Sequence, residues 1–197
     1  MRLTGIIYSY ILLASHEVHA STMLIDFDHV AQVNYNAPYK RIGGLSWTNF
    51  GVVAASYQPS PKGLNEGVVS TPNVAFNLNA SLPSAISGRS FGLLDAWFSS
   101  WSDDNLQLSI LGFDRFGSKI YSSRLVVDTL GPVLYHFGWS NIASVTLSAE
   151  SAVGQPRFSI DDVRLSITVP EPDLPMLVGI AFVCCGLARA GKERPPL

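Results

Sequence analysis

The sequence predicts an all-β fold, an antiparallel β-sandwich or jelly roll, with an N-terminal signal-peptide helix and a C-terminal transmembrane helix. Three observations favour this fold class. Apolar residues recur with a period of two between turn signals in the middle of the chain. The same region carries no convincing helical pattern, and glycine and proline are frequent in it. Each end of the chain adds a separate apolar stretch.

Alternation of apolar and polar residues marks the strands of the middle region. It is clear at residues 25–28, 74–79 and 106–110, and Val145 and Leu147 mark a further strand. The segment 43–50 is typical of a loop that enters an aromatic-rich strand.

A hairpin and an irregular last strand complete this pattern. The turn-forming residues 114–118 lie between two alternating segments, which predicts a hairpin ending near Val127. In the last strand, Phe158 and Ile160 share one phase while Val163 and Leu165 share the other. This change of register at 161–162 predicts a β-bulge.

Composition excludes several classes of protein. The chain has 197 residues, 14% of them charged and 47% hydrophobic, and its net charge is −2. These values argue against a disordered chain and against a nucleic-acid-binding protein, which needs a basic surface. Both cysteines, Cys184 and Cys185, lie in the C-terminal apolar stretch. The middle region therefore has no disulfide framework, cysteine zinc site or cysteine nucleophile.

The N-terminus has the three parts of a secretory signal peptide. Arg2 provides the positive charge, residues 5–14 form an apolar run, and Val18-His19-Ala20 is a small-x-small site. We expect export through the Sec translocon and cleavage by signal peptidase before Ser21. An N-terminal anchor or a buried helix is the alternative, but the run is short for a span. The predicted domains are thus the signal peptide at 1–20, the β-sandwich at 21–169 and the C-terminal tail at 170–197.

The C-terminus carries a short motif, an apolar stretch and a basic end. The motif is Pro170-Glu171-Pro172, and residues 174–188 carry no charge. At about 1.5 Å per residue a helix over this stretch spans about 22 Å, which is short for a hydrocarbon core of about 30 Å. Flanking residues must then snorkel or the bilayer must thin. The basic residues favour the cytoplasmic side, and they are Arg189, Lys192 and Arg194.

This arrangement resembles the PEP-CTERM sorting signal of Gram-negative bacteria that produce exopolysaccharide. The resemblance implies recognition of Pro170-Glu171-Pro172 by an exosortase, a membrane cysteine peptidase. It also implies removal of the tail from an inner-membrane intermediate and release of the middle region to the cell surface or matrix. The basic residues here are dispersed, and the chain ends in Pro195-Pro196-Leu197, which departs from a tight arginine run. A plain C-terminal anchor is the alternative.

The middle region also loosely resembles the β-sandwich ectodomains that often precede such tails. The similar segments are residues 25–28, 44–50, 111–114 and 158–163. These patterns are degenerate, so they support the fold class rather than an activity.

The sequence contains no catalytic signature. Only His29 and His136 remain after signal cleavage, and there is no Gly-x-Ser-x-Gly nucleophile elbow. A pair of carboxylates would suit a glycoside hydrolase, and Glu66 and Glu150 are available beside the aspartates. Solvated surface charge is the simpler interpretation. We therefore expect a protein that is not an enzyme.

A structural calcium ion is a hypothesis for two pairs of aspartates. Asp26 and Asp28 are expected on one face of the first strand, and Asp161 and Asp162 at the predicted bulge. First and last strands are often neighbours in jelly rolls, and Ca²⁺ prefers such oxygen ligands. The favoured alternative is that these carboxylates accept hydrogen bonds from backbone amides, with no cofactor at all.

Tryptophans are the other functional candidates, because sugar rings stack on aromatic faces. The four are Trp47, Trp97, Trp101 and Trp139. Packing in the core is the favoured alternative for each of them.

Together these patterns predict an exported, non-enzymatic surface or matrix protein associated with exopolysaccharide. The alternative is an extracellular lectin-like module or a glycoside hydrolase.

Overall fold

The computed structural model describes residues 19–30, 41–56, 62–151 and 154–169. Within this part, Ala20–Thr168 form one compact unit. The predicted signal peptide, the Pro170-Glu171-Pro172 motif and the basic end lie outside the described residues. No helix in the described part is long and apolar enough to cross a membrane.

Strands account for most of the described residues, and one short helix lies between them. In chain order the elements are β1 (His19–Ile25), β2 (Arg41–Ile42), β3 (Leu45–Thr48), β4 (Phe50–Ala54), α1 (Lys62–Glu66), β5 (Asn73–Asn77), β6 (Ser84–Ser100), β7 (Leu106–Phe113), β8 (Lys119–Val127), β9 (Val133–Glu150) and β10 (Phe158–Val169).

The strands join in one hydrogen-bonded network that has two leaves. Leaf A runs β4-β5-β10 and continues into the C-terminal half of β6 and the N-terminal half of β9. Leaf B contains β2 and β3, the other halves of β6 and β9, and then β7 and β8. The pairings among β2–β10 are antiparallel. The mostly antiparallel all-β prediction is confirmed, and the two leaves are consistent with a β-sandwich.

The two long strands bend where they pass from one leaf to the other. The register between β6 and β9 shifts three times between Ser87 and Asp95. On β9, Gly138 and Asn141 have φ values of 62° and 56°. Such irregularities bend a strand and increase its twist. Each long strand can therefore serve both leaves.

Hydrophobic residues pack on both faces of leaf A. The main core lies between the leaves and includes Phe50, Phe98 and Phe158. The opposite, outer face of leaf A carries a second cluster beneath α1. Its buried members are Val53, Leu64, Val74, Phe76 and Trp101.

Several local predictions are confirmed. The predicted hairpin is the β7–β8 pair, closed by a turn in which Asp114 Oδ1 accepts hydrogen bonds from the amides of Phe116 and Ser118, each at 2.8 Å. The predicted bulge is present, because the β10–β6 register shifts between Asp161 and Arg164. The first and last strands are neighbours, since β1 pairs with β10.

Two predictions need correction. The first strand ends at Ile25, and Phe27 has a φ of 59°, so Asp26 and Asp28 follow the strand rather than share one of its faces. The middle region also contains α1, a helix of five residues. A helix this short shows no apolar periodicity in a sequence, and its position depends on packing against leaf A.

Candidate functional site

Trp97 lies on the outer face of leaf A, near its middle. Its neighbours on β6, Ala96 and Phe98, point into the main core, so Trp97 points the other way. Its cross-strand partners are Asp161 on β10 and Leu134 on β9. Trp97 is half-buried and belongs to neither hydrophobic cluster of the described residues. Part of its indole ring is therefore available to a ligand.

An ion pair occupies the next position along the same face. Asp95 lies two residues before Trp97, and its partners across the neighbouring strands are Arg164 and His136. The Arg164 guanidinium donates two hydrogen bonds of 2.6 Å, from Nε to Asp95 Oδ1 and from Nη2 to Asp95 Oδ2. These bonds raise the pKa of Arg164 above its usual value. The pair is bidentate, the geometry in which an arginine and a carboxylate hold each other most rigidly.

His136 completes this group on the solvent side. Its Nδ1 lies 3.6 Å from Asp95 Oδ2, and its side chain is 70% exposed. The Arg164 side chain is 49% exposed, whereas that of Asp95 is 7% exposed. Arg164 and His136 therefore present polar groups to solvent, and the buried Asp95 carboxylate beneath them fixes the position of Arg164. We call Asp95, Trp97, Leu134, His136 and Arg164 the Trp97 face.

The arrangement suits a ligand that is both flat and rich in hydroxyl groups. A half-exposed indole can stack on the apolar face of a sugar ring, as aromatic rings do in binding sites. The adjacent guanidinium and imidazole can hydrogen bond to the ring's hydroxyl groups. Because three adjacent strands carry these side chains, the face needs little rearrangement to bind.

Asp161 borders the Trp97 face and holds the loop beside it. Its Oδ2 accepts hydrogen bonds from the amides of Val69 at 2.8 Å and Ser70 at 3.1 Å, and its Oδ1 accepts one from Asp162 at 2.9 Å. The Asp161 side chain has no exposed surface. Burial raises its pKa to about 7, against the opposing effect of these amides.

The structure brings the two predicted aspartate pairs into one region. Ser70 Oγ donates to Asp162 Oδ1 at 2.9 Å and lies 3.4 Å from the carbonyl oxygen of Asp26. The carboxylates are already engaged: that of Asp26 accepts from the amide of Asp28, and that of Asp28 from the amide of Asn73. This arrangement corresponds to the alternative to a calcium site, in which backbone amides donate hydrogen bonds to the carboxylates.

The predicted calcium site gains no cluster of ligands from this arrangement. Among the described residues, no group of three or more histidine, cysteine, aspartate or glutamate side chains could hold a metal ion. Calcium binding by Asp26, Asp28, Asp161 and Asp162 therefore stays a prediction.

Three of the four tryptophans are core residues, as the favoured core-packing alternative expects, so they are no longer candidates for sugar stacking. Trp47 and Trp101 are each 2% exposed, and Trp139 is 6% exposed. Trp47 packs edge-on against Phe27 and Phe50. A ring enclosed in this way presents no face to a ligand.

Trp101 and Trp139 are enclosed by stacking. The Trp101 ring stacks on Phe76 with centroids 4.7 Å apart, and the Trp139 ring stacks on Tyr121 at 5.1 Å. Trp97 remains as the tryptophan from the predicted set that is only half-buried.

The residues considered for hydrolysis are at the surface. His29, Glu66 and Glu150 are exposed. Glu150 lines a shallow groove on the outer face of leaf B together with Gln107, Ser109 and Arg124. This groove contains no aromatic ring, so it lacks the stacking element that the Trp97 face has.

Sequence reasoning did not find Asp95, His136 or Arg164 as partners of Trp97. They lie on three strands that are far apart in the chain, and Arg164 follows the bulge that sets its direction. One signal in the sequence could have indicated the ion pair. Asp95 lies in an otherwise apolar segment, 91–98, and a buried carboxylate needs a partner.

Comparison with known proteins shows the fold. No protein-family model matches the chain, and no curated protein does. A DUF4465 family protein from Bacteroides caccae is similar, with a TM-score of 0.50 and 9% identity over 83% of this chain and 99% of that chain. At so low an identity, the structural similarity supports the β-sandwich fold alone. It does not indicate a function, because one fold serves many functions.

Two carbohydrate-binding structures overlap with the chain less closely. The CBM22-1 xylan-binding domain from Paenibacillus barcinonensis has a TM-score of 0.40 and 10% identity over 79% of this chain and 99% of that chain. TmCBM61, solved in complex with β-1,4-galactotriose, has a TM-score of 0.40 and 12% identity over 68% of this chain and 100% of that chain.

Proposed function

We propose that this protein is an exported, non-enzymatic surface or matrix protein whose β-sandwich binds polysaccharide through the Trp97 face. The observation that carries the proposal is the half-exposed Trp97 beside the bidentate Arg164–Asp95 pair. A sugar ring stacks its apolar face on the indole. Its hydroxyl groups then bond to the outward atoms of Arg164 and His136.

The two ends of the chain supply the cellular context of this proposal. The signal peptide exports the middle region, and the Pro170-Glu171-Pro172 tail is processed by an exosortase. The domain is then released to the cell surface or to the surrounding exopolysaccharide of a Gram-negative bacterium. There, binding through the Trp97 face attaches the protein to the matrix.

Substitution of Trp97 tests the proposal. Affinity for a bound polysaccharide is measured by affinity electrophoresis or calorimetry against glucan, galactan, xylan, mannan and the producing organism's own exopolysaccharide. We expect Trp97→Ala to weaken binding about tenfold or more, because about 1.4 kcal/mol is within the contribution of one stacked ring.

A matched control separates the site from a general effect of aromatic residues. Phe116 lies at the tip of the β7–β8 hairpin and is 77% exposed. Phe116→Ala is expected to leave binding unchanged. Arg124→Gln, in the groove of leaf B, is a second control.

Two results would contradict the proposal. If Trp97→Ala binds as well as the original protein while Arg124→Gln loses affinity, the site lies on the other leaf. Release of reducing sugars from a bound polysaccharide would show that the protein is a glycoside hydrolase. We expect none.

A further inference from the structure

The charged groups of the Trp97 face cancel one another. Arg164 is held by both carboxylate oxygens of Asp95 at 2.6 Å, so its positive charge is neutralised within the face. A further carboxyl, that of Asp161, is the cross-strand partner of Trp97 on β10. The face therefore presents Arg164 as one member of an ion pair rather than as a free cation.

This balance determines which glycans the face can hold. An acidic sugar carries a carboxylate or sulfate that loses its hydration on binding, and an unpaired cation offsets that loss best. The hydroxyl groups of an uncharged sugar have no such requirement, because the outward N–H groups of Arg164 can donate hydrogen bonds to them. The face thus matches an uncharged glycan.

We propose that Asp95 determines the charge selectivity of the Trp97 face: by neutralising Arg164, it favours uncharged glycans over those that carry carboxylate or sulfate groups. The inference rests on the proposed function and extends it to a class of ligand. Asp95 suits this role because its side chain is 7% exposed. It thus acts on the ligand through Arg164, as a positioning and neutralising residue.

The test uses the full chain and matched pairs of polysaccharides. Each pair consists of a neutral glucan, galactan or mannan and the same polymer oxidised to a carboxylate at C6. Binding of the two members of each pair is measured at the same pH and compared directly. We expect the original protein to bind the neutral member at least about tenfold more tightly, a difference of about 1.4 kcal/mol. We also expect binding of the neutral member to be insensitive to added salt, because an uncharged polymer gains no attraction from the charges of the protein.

Asp95→Asn is the decisive variant. Asparagine has the same shape and can still accept a hydrogen bond from Arg164, but it leaves the guanidinium charge uncompensated. We expect this variant to gain affinity for the acidic member of each pair and to lose most of the original preference. The double variant Asp95→Asn with Arg164→Gln has no charge at these positions. It is expected to prefer the neutral member again.

The outcomes distinguish this inference from the function on which it rests. If acidic polymers bind the original protein as tightly as neutral ones and Trp97→Ala abolishes both, the selectivity is wrong while the binding function stands. If Asp95→Asn folds, as judged by near-ultraviolet circular dichroism, and gains nothing for the acidic polymers, the role of Asp95 is wrong. If no glycan binds, the proposed function itself fails.

The salt dependence keeps the inference testable without any variant. If Asp95→Asn does not fold, binding of the original protein to the acidic polymers is measured at low and high salt. Binding that is tight at low salt and lost at high salt would show an available cation, and it would overturn the inference.

Discussion

At the scale of single residues, Asp161 is a carboxyl group without exposed surface that accepts three backbone hydrogen bonds. Its loss of hydration outweighs those bonds, and its pKa rises from 3.8 to about 7. The folded protein therefore retains a proton on Asp161 in a pH range where the unfolded chain has released it.

We predict that the contribution of Asp161 to stability falls as the pH rises from about 4 to about 7. Between these values the folded state binds one proton more than the unfolded state. The free energy of unfolding then decreases with pH by at most about 1.4 kcal/mol per pH unit. Urea unfolding of the original protein and of Asp161→Asn at several pH values measures this slope.

Asp161→Asn removes the titrating group, so its stability should depend less steeply on pH across this range. Equal slopes for the two proteins would contradict the prediction. Thermal unfolding of the original protein in calcium and in EDTA tests the calcium hypothesis. A cation held by this carboxylate would raise the melting temperature near pH 7, whereas an unchanged melting temperature would count against the site.

At the scale of elements, α1 depends on a glycine for its close approach to β6. Gly63 donates a backbone hydrogen bond of 3.1 Å to the carbonyl oxygen of Trp101. A Cβ atom at Gly63 would lie 1.9 Å from the carbonyl oxygen of Ser100, which is backbone and cannot rotate away. The helix positions Leu64, which has no exposed surface, over the second hydrophobic cluster.

We therefore predict that Gly63→Ala lifts α1 from leaf A and loosens the cluster beneath it. The expected loss is about 1–3 kcal/mol in the free energy of unfolding, the usual cost of overpacking. Urea unfolding gives the value, and Glu66→Ala in the same helix, at an exposed position, is the control. A Gly63→Ala protein as stable as the control would show that α1 contributes little to the fold.

The elements differ in how well the sequence predicts them. The β7–β8 hairpin was predictable because its alternation and its turn residues are all local. The long strands β6 and β9 were not recognised as such, because their bends interrupt the alternation between Ser87 and Asp95. The bulge in β10 was predictable from the change of phase in the sequence. Arg164, which the bulge directs toward Asp95, was not predictable as the partner of Asp95.

At the scale of the whole molecule, we propose that the ends of the chain determine where the β-sandwich is delivered. We predict that the mature protein from its natural host begins at Ser21 and has lost the residues that follow the Pro170-Glu171-Pro172 motif. Mass spectrometry of the protein from the cell surface and from the medium measures both ends.

A variant of the motif provides the control for this prediction. Glu171→Ala should retain the tail and remain with the membrane fraction, because the exosortase no longer recognises the motif. A mature protein that keeps its tail would favour a plain C-terminal anchor. Retention of the N-terminal 20 residues would contradict signal cleavage.

The sequence by itself determined what depends on local pattern: the all-β class, the hairpin, the bulge and the proposed address at the two ends. The tertiary structure decided which polar and aromatic residues share a surface. Whether a tryptophan is core or open depends on what packs over it, and Trp97 and Trp101 differ in this respect although both lie on the outer face of leaf A. The Asp95–Arg164 pair joins residues 69 positions apart, and only the folding of β10 against β6 brings such distant groups together.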